Sequence, residues 1–145
     1  MRMNSLKTNA AAAAEGRWVG DLPGLGNIEV KVRGTNTPEY RRRQQAMYRA
    51  LPPTKRQKGV VDPLEQDRIV GVCLLDHVLL DWKNVEDEEG NTIPFSKGAA
   101  EPFLTDPAYA AFRDGVLIAA SSVDDEEAAA DEDIEGNSSR PSATT

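Results

Sequence analysis

Residues 28–33, Ile-Glu-Val-Lys-Val-Arg, alternate apolar with charged side chains. A period of two puts Ile28, Val30 and Val32 on one face of a strand and Glu29, Lys31 and Arg33 on the other. A second extended run begins at Trp18-Val19. Between them Asp21 to Asn27 (DLPGLGN) is turn chemistry, with Gly24 and Gly26 suited to positive φ. The two runs predict an N-terminal β-hairpin.

The period then becomes helical. Tyr40, Met47, Tyr48 and Leu51 fall on one face of a helix predicted over 37–51, with Thr37 as cap, Pro38 in the first turn and Pro52-Pro53 as the stop. Asp62-Pro63 opens a second helix, predicted over 63–82, with Glu65 close to a capping box. Its apolar residues, from Ile69 through Leu80, cover most of the circumference, which predicts that this helix is the centre of the core. After Trp82 an acidic turn surrounds Gly90, and Thr92-Ile93-Pro94-Phe95 is extended. Ser96 caps a short helix to about Leu104. Asp106-Pro107 starts a last helix over about 107–122, in which Tyr109, Phe112, Val116, Ala119 and Ala120 recur at steps of three and four.

Both ends lack such patterning. Residues 1–16 are polar and alanine-rich, and in 124–145 Ile134 is the only large apolar side chain. Segments of that kind bury too little surface to offset the roughly 1–2 kcal/mol per residue of backbone ordering. The expectation is a disordered N-terminal segment (1–16), a single α+β domain (17–123) in which the hairpin packs on a small helical bundle, and a disordered acidic tail (124–145).

Charge divides the same way. Residues 123–145 hold eight acids and one base, which accounts for the whole net charge of −7; residues 1–122 balance 16 acids against 16 bases. No apolar stretch approaches the roughly 20 residues of a spanning helix, and residues 1–16 lack the apolar core of a secretion signal. A protein outside the membrane and in a reducing compartment is expected. The single cysteine, Cys73, excludes an internal disulfide and a cysteine metal cluster.

Candidate chemistry is sparse. Cys73, His77 and Asp81 would share one face of the 63–82 helix, but its other positions are apolar, and burial raises a thiol's pKa rather than activating it. Cys73 and His77 are therefore expected to be structural, with His77 satisfied by Asp81 or by water. The turn Glu86-Asp87-Glu88-Glu89-Gly90-Asn91 lacks the alternating ligands of a calcium loop, and Ser96 stands where that loop needs glutamate. No catalytic, cofactor or metal residue is expected, and the protein is read as a binding protein rather than an enzyme. The distinctive charged feature is a basic strip, Arg41, Arg42, Arg43, Arg49, Lys55, Arg56 and Lys58, which holds seven of the 17 bases within 41–58 and no acid. Tyr40 and Tyr48 lie within it, so phosphate-backbone contact is conceivable. The sequence contains no recognised nucleic-acid module, and the acidic tail would compete for the strip. Nucleic acid is therefore not the expected partner, and an acidic protein, or the chain's own tail folding back in a salt-sensitive way, is at least as strong a candidate for the strip.

Several phrases occur in a distinctive order: Trp82-Lys83-Asn84-Val85, the acidic turn with Gly90, Pro94-Phe95-Ser96, and a closing helix with Phe112-Arg113-Asp114 and Val116. Over residues 73–122 this order resembles the tail assembly chaperones of long-tailed bacteriophages. The resemblance implies a non-enzymatic protein of the bacterial host cytoplasm that binds tape-measure and tail-tube proteins during tail assembly. It would do so through the basic strip or an apolar rim around Trp18, Trp82 and Phe95, although core packing is the first expectation for those three aromatics. The competing readings are a virion component, such as a head–tail joining or minor tail protein, and a small nucleic-acid-binding regulator.

Overall fold

A computed structural model describes residues 15–57 and 59–126, and it is α+β. β1 (Arg17–Val19) and β2 (Glu29–Val32) form the expected antiparallel hairpin, with Trp18 opposite Lys31 and Val19 opposite Val30. Gly24 and Gly26 take φ of +73° and +57° in the connecting loop, where a side chain would be strained. Val30 and Val32 are fully buried and Glu29 and Lys31 only partly, as the alternation requires.

Helix α1 (Pro38–Arg49) starts on Thr37, whose hydroxyl accepts the Tyr40 N–H at 3.3 Å. Tyr40 and Leu51 are buried, and Met47 and Tyr48 pack against the core from its edge. A 3-10 turn (Pro53–Lys55) leads into a two-stranded ribbon, β3 (Arg56–Gln57) with β4 (Val60–Val61). Helix α2 (Pro63–His77) follows, with Asp62 accepting the Glu65 N–H at 3.3 Å. It lies between α1 and the later helix α3 (Lys97–Thr105), so the central position expected for it is correct. Ile69, Cys73 and Leu74 are fully buried.

The predicted extent of this helix is wrong at its C-terminal end. Instead of running to Trp82, α2 stops at His77, and Leu79–Lys83 form strand β5 on the free edge of β2, giving the sheet order β1-β2-β5. Neither glycine nor proline breaks the helix here. The backbone groups of β2 supply the reason: Val30 pairs with Trp82, Lys31 with Asp81, and Arg33 N–H donates to the Val78 carbonyl at 3.0 Å. An apolar run without a breaker can serve either structure, and tertiary pairing selected the strand. The pairing slips between Lys31 and Val32, leaving Leu80 as a bulge residue. The consequence for chemistry is direct. Asp81 does not lie one helical turn beyond His77, and its carboxylate accepts the Trp82 N–H at 2.8 Å.

Helix α3 is capped by Ser96, whose hydroxyl accepts the Ala99 N–H at 3.0 Å. Asp106-Pro107 opens a 3-10 turn (Pro107–Tyr109) that becomes helix α4 over 110–126. Phe112, Val116, Ala119, Ala120 and Val123 are buried, whereas Tyr109 sits in the 3-10 turn and is exposed. Thus α4 outruns its predicted end at 122, and Asp124–Glu126, expected in the tail, continue it. The expectations of disorder for 1–14 and 127–145 lie outside the described residues.

Candidate interaction surface

Helix α1 carries the first half of the basic strip on its outer side, because Tyr40, Met47 and Tyr48 turn the opposite side to the core. Arg41, Arg42, Arg43 and Arg49 are exposed. Their roles differ. Arg43 reaches Asp76 on α2 at 3.4 Å, an ion pair between helices, and Arg41 donates to the Asn36 side-chain oxygen. Arg42 and Arg49 have no hydrogen bond or ion pair among the described residues. Lys55 and Arg56 follow, exposed, on the 3-10 turn and β3. Lys58 lies outside the described residues. The strip is therefore not one patch of equivalent bases, since two of its arginines are held by neighbours.

Where α1 ends, an open cleft of about 380 Å³ separates it from the first turns of α2. Met47, Leu51 and Pro52 make its apolar side, and Lys55, Glu65 and Arg68 its charged rim. Glu65 and Arg68 pair across one helical turn at 2.9 Å, holding part of that rim in place. Close by in the chain, Val60 on β4 and Leu64 on α2 are 69% and 65% exposed. An apolar floor with a rim of both signs suits the face of an amphipathic helix, and methionine can repack around differing side chains. Read in sequence, Met47 and Leu51 are ordinary core positions. In the fold Leu51 is buried and Met47 only partly so, and the chain leaves α1 at Pro52-Pro53, where Pro52 completes the apolar side of the cleft.

The apolar-rim candidates resolve differently. Trp82 is buried and Phe95 packs edge-on against it, with ring centroids 5.1 Å apart. Only Trp18, on the edge strand, is exposed, and the Lys83 ammonium sits 4.1 Å from its ring centroid.

A second concavity, of about 520 Å³, lies at the other end of α1 and is lined by Thr35, Tyr40, Arg41, Gln44, Leu117 and Asp124 among others. Asp124 was the unforeseen residue. Its carboxylate accepts the Thr35 N–H at 3.0 Å, the Thr35 hydroxyl at 2.8 Å and the Asn36 N–H at 3.1 Å, fastening α4 to the entry of α1. Buried Gly34 makes room, because a Cβ there would collide with that carboxylate. Val123, one further step in the apolar period of α4, was the available signal that the helix continues.

Of the other chemical candidates, His77 is partly buried at the C-terminal end of α2 and makes no hydrogen bond or ion pair with Asp81, the partner expected for it. Asp87 accepts the Glu89 and Asn91 N–H groups, each at 2.9 Å, inside its own turn. Among the described residues no group of three or more His, Cys, Asp or Glu side chains is placed to hold a metal ion. Cys73 is fully buried, and burial pushes its thiol from the ordinary 9.0 up to about 11, with Arg43 opposing and Asp76 adding to the rise. Burial likewise raises Tyr40, its neighbour, from 10.0 to about 12. In both cases the folded state keeps a proton that the unfolded chain releases first, so stability falls as pH climbs past each ordinary value. The thermal midpoint is expected to decline from about pH 9 upward. Cys73→Ala should flatten the first part of that decline, and a midpoint constant from pH 8 to 11 would contradict the assignment.

Together these features define a small α+β protein whose Cys73 and Tyr40 are packed into its core. Residues 35–137 match the family described as YdaY prophage protein, and the chain belongs to that family. Its origin is thus phage-derived. No curated protein and no solved structure matches the chain.

Proposed function

We propose that the protein is a non-enzymatic tail assembly chaperone that acts in the bacterial host cytoplasm and binds the tape-measure and tail-tube proteins while the tail is built. The carrying observation is the apolar-floored cleft between α1 and α2, whose charged rim suits the amphipathic helices of a long tape-measure protein. Two further points support the reading. The family is a prophage family, and the phrase order from Trp82 to Val116 that resembles tail chaperones falls inside the matched region.

The test is co-expression of the tagged chain with the tape-measure and tail-tube proteins of the same prophage. The wild-type chain is expected to retain at least one of them. Met47→Glu, which places a charge on the cleft floor, is expected to reduce that retention by about tenfold, since 1.4 kcal/mol of binding is a factor of ten. Circular dichroism should show the variant folded. Failure of the wild-type chain to retain either protein would overturn the proposal. So would its detection at stoichiometric level in purified particles, which is the result for a virion component.

A further inference from the structure

Arg42 and Arg49 stand out among the surface charges. Seven residues apart, they lie on the same face of α1, separated by about two turns or roughly 10 Å along the axis. Both are exposed and without a hydrogen-bond or ion-pair partner among the described residues. Three bases with Arg41, and no acid after Glu39 on this helix, make a one-sign surface of a kind that attracts a polyanion.

The chain itself supplies a matching polyanion at the right place. Asp124 holds the end of α4 against Thr35 and Asn36, at the entry of α1, where Arg41 lines the same concavity. Two residues on, Glu126 pairs with Arg17 at 3.3 Å. The next nine residues, 127–135, contain Glu127, Asp131, Glu132, Asp133 and Glu135 and no base. Nine extended residues reach about 30 Å, whereas the 12 residues of α1 are only about 18 Å long. A segment that leaves from the N-terminal end of α1 can therefore cover it past Arg49. Tethering replaces a bimolecular encounter with an intramolecular one, at an effective concentration in the millimolar range for a short linker. The family match also continues to residue 137, so this acidic stretch is inside the matched region.

We propose that the acidic segment 127–135 docks in cis on the Arg41, Arg42 and Arg49 face of α1 and shields it from other polyanions. The contact is electrostatic, so it weakens as the Debye length drops from about 8 Å at physiological salt to about 3 Å at 1 M. It stands whether or not the cleft at the far end of α1 takes a tail protein, because the two surfaces share no residue. Any acidic partner of α1 has to displace the segment first.

Amide NMR spectra of the full chain provide the test. The reference is a full-length variant in which Asp131→Asn, Glu132→Gln, Asp133→Asn and Glu135→Gln remove four charges outside the described fold. At low salt the amides of 41–49 are expected to shift between the two proteins, and the difference is expected to vanish in 1 M sodium chloride. Arg42→Glu with Arg49→Glu should abolish the difference, and adding Asp131→Lys with Asp133→Lys to that variant should restore it. Superimposable α1 amides at low salt would overturn the proposal. Shifts that grow with protein concentration would also overturn it, since they would place the contact between chains.

Discussion

Trp82→Ala is expected to lower the unfolding free energy by about 3–5 kcal/mol, the range for truncating a large buried aromatic. Trp82 is buried on β5 with three aromatic neighbours in edge contact, their centroids 5.1 Å (Phe95), 5.9 Å (Phe103) and 5.9 Å (Phe112) away. Its indole N–H donates to the Ile93 carbonyl at 2.7 Å. One side chain thus joins the sheet, the segment after the acidic turn, α3 and α4. Alanine would leave a cavity among those rings and a carbonyl without its donor. Trp82→Phe separates the two effects, because most of the packing returns while the donor stays absent, at about 1–3 kcal/mol. Urea unfolding followed by far-ultraviolet circular dichroism measures both. A loss under about 1 kcal/mol for the alanine variant would show that the aromatic cluster does not hold these elements together.

The second large effect is expected at Gly71, in the middle of α2. Alanine is normally the better helix residue, by roughly 1 kcal/mol. Here the helix end of α3 presses against the bare glycine: a Cβ would collide with the Leu104 carbonyl oxygen and lie 2.9 Å from its carbon. Backbone atoms cannot rotate away, so α2 and α3 would have to part. Gly71→Ala is therefore expected to destabilise by about 2–3 kcal/mol, as overpacked core sites do. Gly98→Ala provides the opposite sign. Gly98 lies in the first turn of α3 with nothing within 4 Å of the added Cβ, and this change should stabilise by roughly 0.4–1 kcal/mol. The pair of urea midpoints tests the contact. A stabilised Gly71→Ala would mean that α3 does not sit on α2 at this point.

Both predictions come from contacts that the chain makes far from their own neighbourhood, and the same division runs through the candidate site. The outer face of α1 was readable because four apolar positions define the opposite face. The pairing of Arg43 with Asp76 on α2 was not readable, since nothing near either residue specifies the other. Nor was the cleft. Its floor has the pattern of a core face, and nothing local distinguishes Met47, which stays partly uncovered, from Leu51, which is buried. Cys73 was correctly read as buried, because it lies one helical turn beyond Ile69 in the apolar stretch of α2, whose exposed side carries Leu64 and Arg68 instead.

By itself the sequence determined the elements whose signals are local. Thr37, Asp62, Ser96 and Asp106 each accept a backbone N–H in the first turn that follows, as their side-chain chemistry dictates. The alternation in 28–33 made a strand with one dry face, and the apolar content of 69–75 made the central helix. Tertiary structure alone decided that α2 ends at His77 and that Leu79–Lys83 become a strand. A strand is completed only by its neighbour's hydrogen bonds, and β2 is some fifty residues away in the chain. It also decided that Asp124 caps the entry of α1 from 89 residues away. Local patterning specifies how a segment prefers to fold; which groups it satisfies depends on what the rest of the chain brings within hydrogen-bonding distance.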